Sequence, residues 1–299
     1  MSQPENLDSP RGLVFAISAY VMWGFLPLYM KLLAHIPAAE IVSHRVIWSV
    51  PVAAALLIWL RRTRDLLTAL RTPRMLGMAV VTATLVSMNW GIYVWAVNAG
   101  YALEAALGYY INPLFSIALG ALLLGERLSG AQKVAVALAS LAVVILIVDG
   151  GSVPLAALGM MLTWGFYAFA KKQLPIGPNQ GFLLEVLILL PFAIGYVAYL
   201  GASGVGHISP LGSRDMWLLL GCGLVTAVPL ITYANGAKLL RLSTIGILQY
   251  IAPTMIFLIA VFVFDEPFDR AKALAFPLIW AALVIYTVSM VRTMRASRR

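Results

Sequence analysis

Ten apolar runs, each about 20 residues long, follow one another in this chain with connections too short to hold a domain between them. They span 12–33, 39–60, 74–97, 101–123, 131–149, 153–171, 179–200, 213–237, 242–264 and 271–291. A run of that length crosses the roughly 30 Å hydrocarbon core as a helix, and a helix closes every backbone hydrogen bond inside its own segment. Composition agrees: 62% of the 299 residues are hydrophobic, 11% are charged and the mean hydropathy is +0.91, leaving too little polar surface to cover a globule in water. The predicted fold class is an all-α polytopic membrane protein with ten transmembrane helices. Only the connections 61–73 and 201–212 exceed about ten residues. The first run follows Glu5 and Asp8, with neither a basic stretch nor a small-residue cleavage site before it, so it reads as a retained span.

The net charge of +9 does not point to nucleic acid, because its distribution follows membrane side. With the N-terminus in the cytoplasm, the inner connections collect Arg61, Arg62, Arg64, Arg71, Arg74, Arg127, Lys133, Lys171, Lys172, Lys238 and Arg241, and Arg11, Arg292, Arg295, Arg298 and Arg299 near the chain ends fall on the same side. Outside stand only Lys31, Arg214, Arg270 and Lys272, with Arg45 inside a span. Both termini are therefore expected in the cytoplasm of a bacterial inner membrane. The lone Cys222 lies between Gly221 and Gly223, a pattern of close helix packing.

The chain also repeats itself. Trp23-Gly24-Phe25 recurs as Trp164-Gly165-Phe166, Lys31 as Lys172, Pro51 as Pro191, Tyr93 as Tyr233 and Glu126 as Glu266, all at offsets of 140 or 141. Tyr110, Ile111 and Pro113 recur as Tyr250, Ile251 and Pro253. Each half holds five spans; five is odd, so the second half enters from the opposite face, an inverted-topology repeat. The loops agree, since the arginine-rich connection 61–73 corresponds to 201–212, which has no Lys or Arg. Domains are accordingly expected at 11–149 and 150–292, with tails 1–10 and 293–299. Pro113 and Pro253 fall mid-run, where proline lacks a donor and crowds the carbonyl four residues back, so both are candidate hinges.

Several segments together carry a family resemblance: Ala19-Tyr20-Val21-Met22-Trp23-Gly24, the run from Glu40 to Ser49 that reads EIVSHRVIWS, Asn89 to Asn98 reading NWGIYVWAVN, Leu107-Gly108-Tyr109-Tyr110-Ile111-Asn112-Pro113, and Gln249-Tyr250-Ile251-Ala252-Pro253. The chain resembles the EamA/RarD-type transporters of the drug/metabolite transporter superfamily from about residue 11 to 291. The resemblance implies two inverted five-helix repeats around a central cavity lined by spans one, three, four, six, eight and nine. It implies export of small metabolites, amino acids including aromatic ones foremost. Separately, the chain is expected to act as a monomer and to use no cofactor. Drug efflux, chloramphenicol included, and a non-transport receptor or channel are the alternatives. The first span lacks the glutamate with which small multidrug-resistance relatives bind protons and cationic drugs.

On those helices Trp23, Asn89, Trp90, Tyr93, Tyr110, Asn112, Trp164, Tyr167, Tyr233, Gln249 and Tyr250 offer apolar bodies with a few polar tips, the composition of a small-molecule site. Ionisable groups inside spans are few: Arg45 and Glu104 toward the outside, Glu185 toward the inside. Arg45 is expected to pair with Glu104 or Glu40, and Glu185 with Lys172 or Arg241, as gates or structural locks. Gly201-Ala202-Ser203-Gly204 matches a protease-like GxSG, but it falls in a loop with no facing base, and three scattered histidines make no metal site.

Overall fold

The computed structural model describes residues 9–60, 64–124, 128–149, 151–208, 212–237, 239–240, 244–245 and 248–296, all of it helix, turn or loop. The helices are α1 (Pro10–Leu32), α2 (Ala38–Trp59), α3 (Arg64–Arg71), α4 (Pro73–Asn98), α5 (Ala102–Leu124), α6 (Gly130–Val148), α7 (Leu155–Gln173), α8 (Pro178–Ala202), α9 (Arg214–Ala237), α10 (Ile251–Phe262) and α11 (Arg270–Ala296). Among the described residues, 7 helices are long and apolar enough to cross a membrane, and Leu155–Lys171 and Ile251–Phe262 are shorter apolar helices. Apolar side chains such as Trp59, Leu122, Phe192 and Phe262 are exposed on the bundle's outer wall. This is a polytopic membrane protein, apolar outside as well as within.

Local chemistry sets the helix ends. Pro10, Pro73 and Pro178 open α1, α4 and α8, where the missing N–H costs nothing. Ser129 and Gln132 form a reciprocal capping box at the start of α6. Gly100, at φ 82°, closes α4 and lets the Tyr101 amide reach the Ala96 carbonyl at 2.7 Å.

Two expectations need correction. The connection 61–73 holds a short amphipathic helix, α3, whose Leu66 and Ala69 are buried in the core. The expected run 242–264 is broken: turn geometry at Gln249 and Tyr250 precedes α10, which begins at Ile251. Pro253 thus stands in the first turn of a helix, where a proline lacks no partner, whereas Pro113 lies inside α5. Glu126, Lys238 and Arg241 lie outside the described residues, as do Arg61, Arg62, Arg127 and the tail residues 1–8 and 297–299.

The helices of residues 10–148 pack mainly against those of residues 155–296. Helix α1 packs on α9 and α10, α2 on α8 and α9, α4 on α7 and α8, α5 on α7 and α10, and α6 on α11. Exchanging the halves in the 140-residue register leaves this list of pairs unchanged. Single residues repeat the pattern. A methyl at Gly24 of α1 would strike Met255 of α10, and one at Gly165 of α7 would strike Phe115 of α5. Met255 follows Phe115 by 140 residues. Cys222 is fully buried, and a side chain at Gly223 would collide with the Trp48 backbone of α2, so the small-residue run around it brings α2 and α9 together.

At the end of the bundle that carries His35 and His207, carboxylates tie the elements to one another. Glu266 accepts from the Ala102 and Leu103 amides at 2.7 and 2.9 Å, capping α5 from across the molecule. Glu104 accepts from the Ala156 amide at 3.1 Å and caps α7 in turn. Glu40, 1% exposed, accepts from the His207 backbone amide at 2.7 Å and lies 2.8 Å from its Nδ1, and His35 Nε2 lies 2.9 Å from Asp215.

Close backbone approach makes one glycine sensitive and another indifferent. A Cβ at Gly108 of α5 would lie 2.7 Å from the Ala157 carbonyl oxygen of α7, while one at Gly91 of α4 would meet nothing within 4 Å. Gly108→Ala is expected to destabilise the detergent-solubilised protein by about 1–3 kcal/mol, read as a lower midpoint in thermal denaturation. Gly91→Ala should leave the midpoint unchanged or raise it, since alanine is the better helix former by about 1 kcal/mol.

Candidate functional site

Arg45 sits seven residues into α2, about 10 Å from its start at 1.5 Å per residue, and is 4% exposed. Its Nε donates to Thr226 Oγ1 of α9 at 3.0 Å, and the Thr226 hydroxyl donates in turn to the Cys222 carbonyl at 2.7 Å. The guanidinium lies over the Trp90 ring of α4, 4.7 Å from its centroid. Its Nη1 has no hydrogen-bond partner. None of the ion pairs among the described residues includes Arg45. The expected pairing with Glu104 or Glu40 is therefore wrong, because both carboxylates are committed elsewhere, Glu104 to the start of α7 and Glu40 to His207.

From Arg45 an aromatic seam runs between the two halves. Tyr93 of α4 lies 6.1 Å from Tyr109 of α5, Tyr109 is edge-on to Trp164 of α7 at 6.3 Å, and Trp164 is 5.3 Å from Tyr167. Trp90 meets Phe182 of α8 edge-on at 6.5 Å. The seam ends at a buried ion pair: Lys171 Nζ is 2.6 Å from Glu185 Oε1, and the Tyr167 hydroxyl donates to Glu185 Oε2 at 3.3 Å. Glu185 thus pairs with Lys171, one residue before the expected Lys172; the Lys172 side chain and Arg241 lie outside the described residues. Tyr167 and Lys171 are one turn apart on the same face of α7, and Lys172 stands about 100° round the helix.

The other candidates fall into separate groups. Trp23 and Tyr233 pack with Tyr20 where α1 meets α9, every pair of rings within 5.7 Å. Tyr110 faces the opposite way from Tyr109. Its hydroxyl is 2.7 Å from Thr254 Oγ1, and its ring stacks with Tyr250 at 6.4 Å and meets Phe276 and Trp280 of α11 edge-on. Gln249 belongs to the turn before α10. Asn89 is spent on a lock between α4 and α7: its amide donates to Thr163 Oγ1 at 2.9 Å and to the Met160 carbonyl at 3.2 Å. Asn112 is 6% exposed and neither amide atom has a partner.

Buried polar atoms without partners cluster on the helices of the seam. Besides Arg45 Nη1 and Asn112 they include Ser49 Oγ, one turn after Arg45, together with Tyr93 Oη and one oxygen of Asn89. Buried polar groups are nearly always satisfied, so such a concentration marks a place that another molecule or water completes. A groove of about 970 Å³ lies elsewhere, among Met22, Phe25, Leu32, Leu224, Val228 and Phe264 on the outer wall, where hydrocarbon would cover it.

Sequence reasoning missed Tyr109, Thr226 and Lys171. Tyr109 had a signal, since it lies one turn before Pro113. Lys171 had one in its spacing from Tyr167, whereas Thr226 had none.

A transporter of the drug/metabolite class is what this architecture and these relatives define. The EamA-like transporter family model matches residues 10–148. An uncharacterized transporter of Vibrio cholerae serotype O1 is 43% identical, the match covering 99% of this chain and 98% of that one. An uncharacterized transporter of Bacillus subtilis, YojE, is 41% identical over 98% of this chain and 99% of its own. Protein RarD of Streptomyces exfoliatus is 42% identical over 96% and 91%. A crystal structure 22% identical to this chain covers 94% of it and 98% of its own length at a TM-score of 0.59. The chain belongs to the EamA/RarD-type family of the drug/metabolite transporter superfamily, and it is a membrane transporter.

The two buried charges make opposite predictions. Removing only Glu185 or only Lys171 leaves a partner unmatched in low dielectric, so each single change should cost about 3 kcal/mol and the double change Lys171→Met with Glu185→Leu less than their sum. Arg45→Ala and Glu104→Ala should add to within about 0.5 kcal/mol, because the two groups do not meet. Thermal denaturation midpoints of the four single and two double variants check both statements.

Proposed function

We propose that this transporter exports small metabolites, most of all amino acids including aromatic ones, across the bacterial inner membrane by alternating access. The observation that carries this reading is the aromatic seam Trp90, Tyr93, Tyr109, Trp164 and Tyr167 along the boundary of the halves, beside buried polar atoms that lack partners. Aromatic faces suit a flat apolar body, and the unpaired donors and acceptors suit its polar end.

The moving units we propose are two inverted repeats, residues 11–149 and 150–292, together holding ten spans around a central path. The exchange-invariant packing of the halves supports this, as do the matched contacts of Gly24 with Met255 and Gly165 with Phe115. In the 140-residue register Tyr110 and Tyr250 are counterparts and stack on each other, and the Trp23–Tyr233 contact is the counterpart of the Trp164 and Tyr93 ends of the seam. The end with His35 and His207 faces outward in this reading, and the arginine-rich end with both tails faces the cytoplasm. The chain works as a monomer without a cofactor. Pro113 is the hinge, with the break at Gln249–Tyr250 as its counterpart, and Asn112, Gln249 and Tyr250 line the path between them.

Purified protein in liposomes tests the reading. Saturable uptake of labelled phenylalanine with counterflow is expected; linear flux would indicate a channel, no flux a receptor, and a preference for chloramphenicol over every amino acid would indicate drug efflux. Labelling of Ser203→Cys by an impermeant reagent should occur from the outside only, and cytoplasmic-side labelling would reverse the topology. Pro113→Ala restores a donor toward the Tyr109 carbonyl and should slow counterflow about tenfold, while Pro253→Ala, in a first turn, should change it less than about twofold. Equal effects of the two changes would remove Pro113 as a hinge.

A further inference from the structure

We propose that Arg45 is the substrate's carboxylate receptor, an inference that rests on the export reading above and names the chemical class the site selects. An arginine stays charged at any depth, and an unpaired charge inside a spanning bundle is among the costliest things a fold can hold. Its counterpart in the second half shows the usual solution. Glu185, which follows Arg45 by 140 residues, has Lys171 at 2.6 Å and Tyr167 at its second oxygen. Arg45 occupies the corresponding place in the first half with no acid paired to it among the described residues.

What surrounds Arg45 holds it without neutralising it. Thr226 takes Nε and is itself oriented by the Cys222 carbonyl, and Trp90 lies against the guanidinium plane. Nη1 remains unpaired, and Tyr93, whose hydroxyl is also buried without a partner, lies one turn after Trp90 on the same face of α4. A fixed guanidinium fork with an open edge is the geometry that takes a carboxylate through parallel hydrogen bonds, and a nearby phenol can donate a further bond to the same group. Tyr109, 6.1 Å from Tyr93, continues the wall toward Trp164 for the apolar remainder of the substrate. The site therefore selects a carboxylate attached to a flat or apolar body. It disfavours cations, which Arg45 repels, and neutral amides or alcohols, which leave it without a counterion. One arginine does not meet the several charges of a nucleotide phosphate.

The test uses full-length protein in liposomes and three probes: labelled phenylalanine, phenylalaninamide and benzoate. Wild type should prefer phenylalanine to its amide by at least about tenfold in kcat/KM and should be inhibited by benzoate. Arg45→Gln should reduce the acid-over-amide preference to less than about twofold, and Arg45→Lys, which keeps the charge and loses the fork, should raise KM more than it lowers kcat. Should Arg45→Gln fail to fold, modification of Arg45 in the wild-type protein by phenylglyoxal, read by mass spectrometry, takes its place. Phenylalanine and benzoate should slow that modification and phenylalaninamide should not. A folded Arg45→Gln protein with its preference intact, or equal protection by acid and amide, overturns the proposal and leaves the export reading standing. Wild-type liposomes that move no amino acid overturn the export reading, and the protection assay then decides whether Arg45 binds carboxylates at all.

Discussion

Helices in a bilayer gain nothing from hiding apolar side chains against each other, because the lipid is as apolar as they are. This bundle is held where small residues let backbones touch and where polar groups find partners on another helix. Gly108 against Ala157, Gly223 against Trp48 and Gly24 against Met255 supply the first kind of contact. The bond from Asn89 to Thr163 and the caps from Glu104 and Glu266 supply the second. Most of these join the first half of the chain to the second, so neither half has a complete core of its own, and a motion of one half against the other must pass through a few defined contacts rather than a greasy interface.

That arrangement explains the contrast between the buried charges. Glu185 is neutralised within its own half by Lys171, and Tyr167 ties the pair to the aromatic seam. Arg45 is steadied by one residue of each half, Trp90 and Thr226, and neutralised by neither. Arg45 is thus held at the boundary between the halves, in contact with both.

The polar ties at the end with His35 and His207 follow a different logic. Glu40, Glu104 and Glu266 each accept from backbone amides, which commits these three carboxylates to structural ties and leaves Glu185, already paired with Lys171, as the carboxylate at the seam. The seam is aromatic from Tyr93 to Tyr167, with the charge of Arg45 at one end and the Lys171–Glu185 pair at the other.

Much of this was legible in the residues. Apolar run lengths determine that the chain spans a membrane as helices, since backbone in lipid has no other way to satisfy its hydrogen bonds, and most helix starts fell within about two residues of the expected ones. The 140-residue repeat and the aromatic, amide-rich motifs could also be read directly, because they are properties of the sequence itself. Only the tertiary structure decided which face each of those residues shows: that neighbouring Tyr109 and Tyr110 point to different helices, that Asn89 is a lock, and that Pro253 opens a helix and interrupts none. It also decided the charge partners. Depth in the membrane suggested Glu104 or Glu40 for Arg45, but backbone amides at a helix start and in a turn claim those carboxylates, and which amide lies beside which glutamate is set by packing between halves that no local pattern encodes.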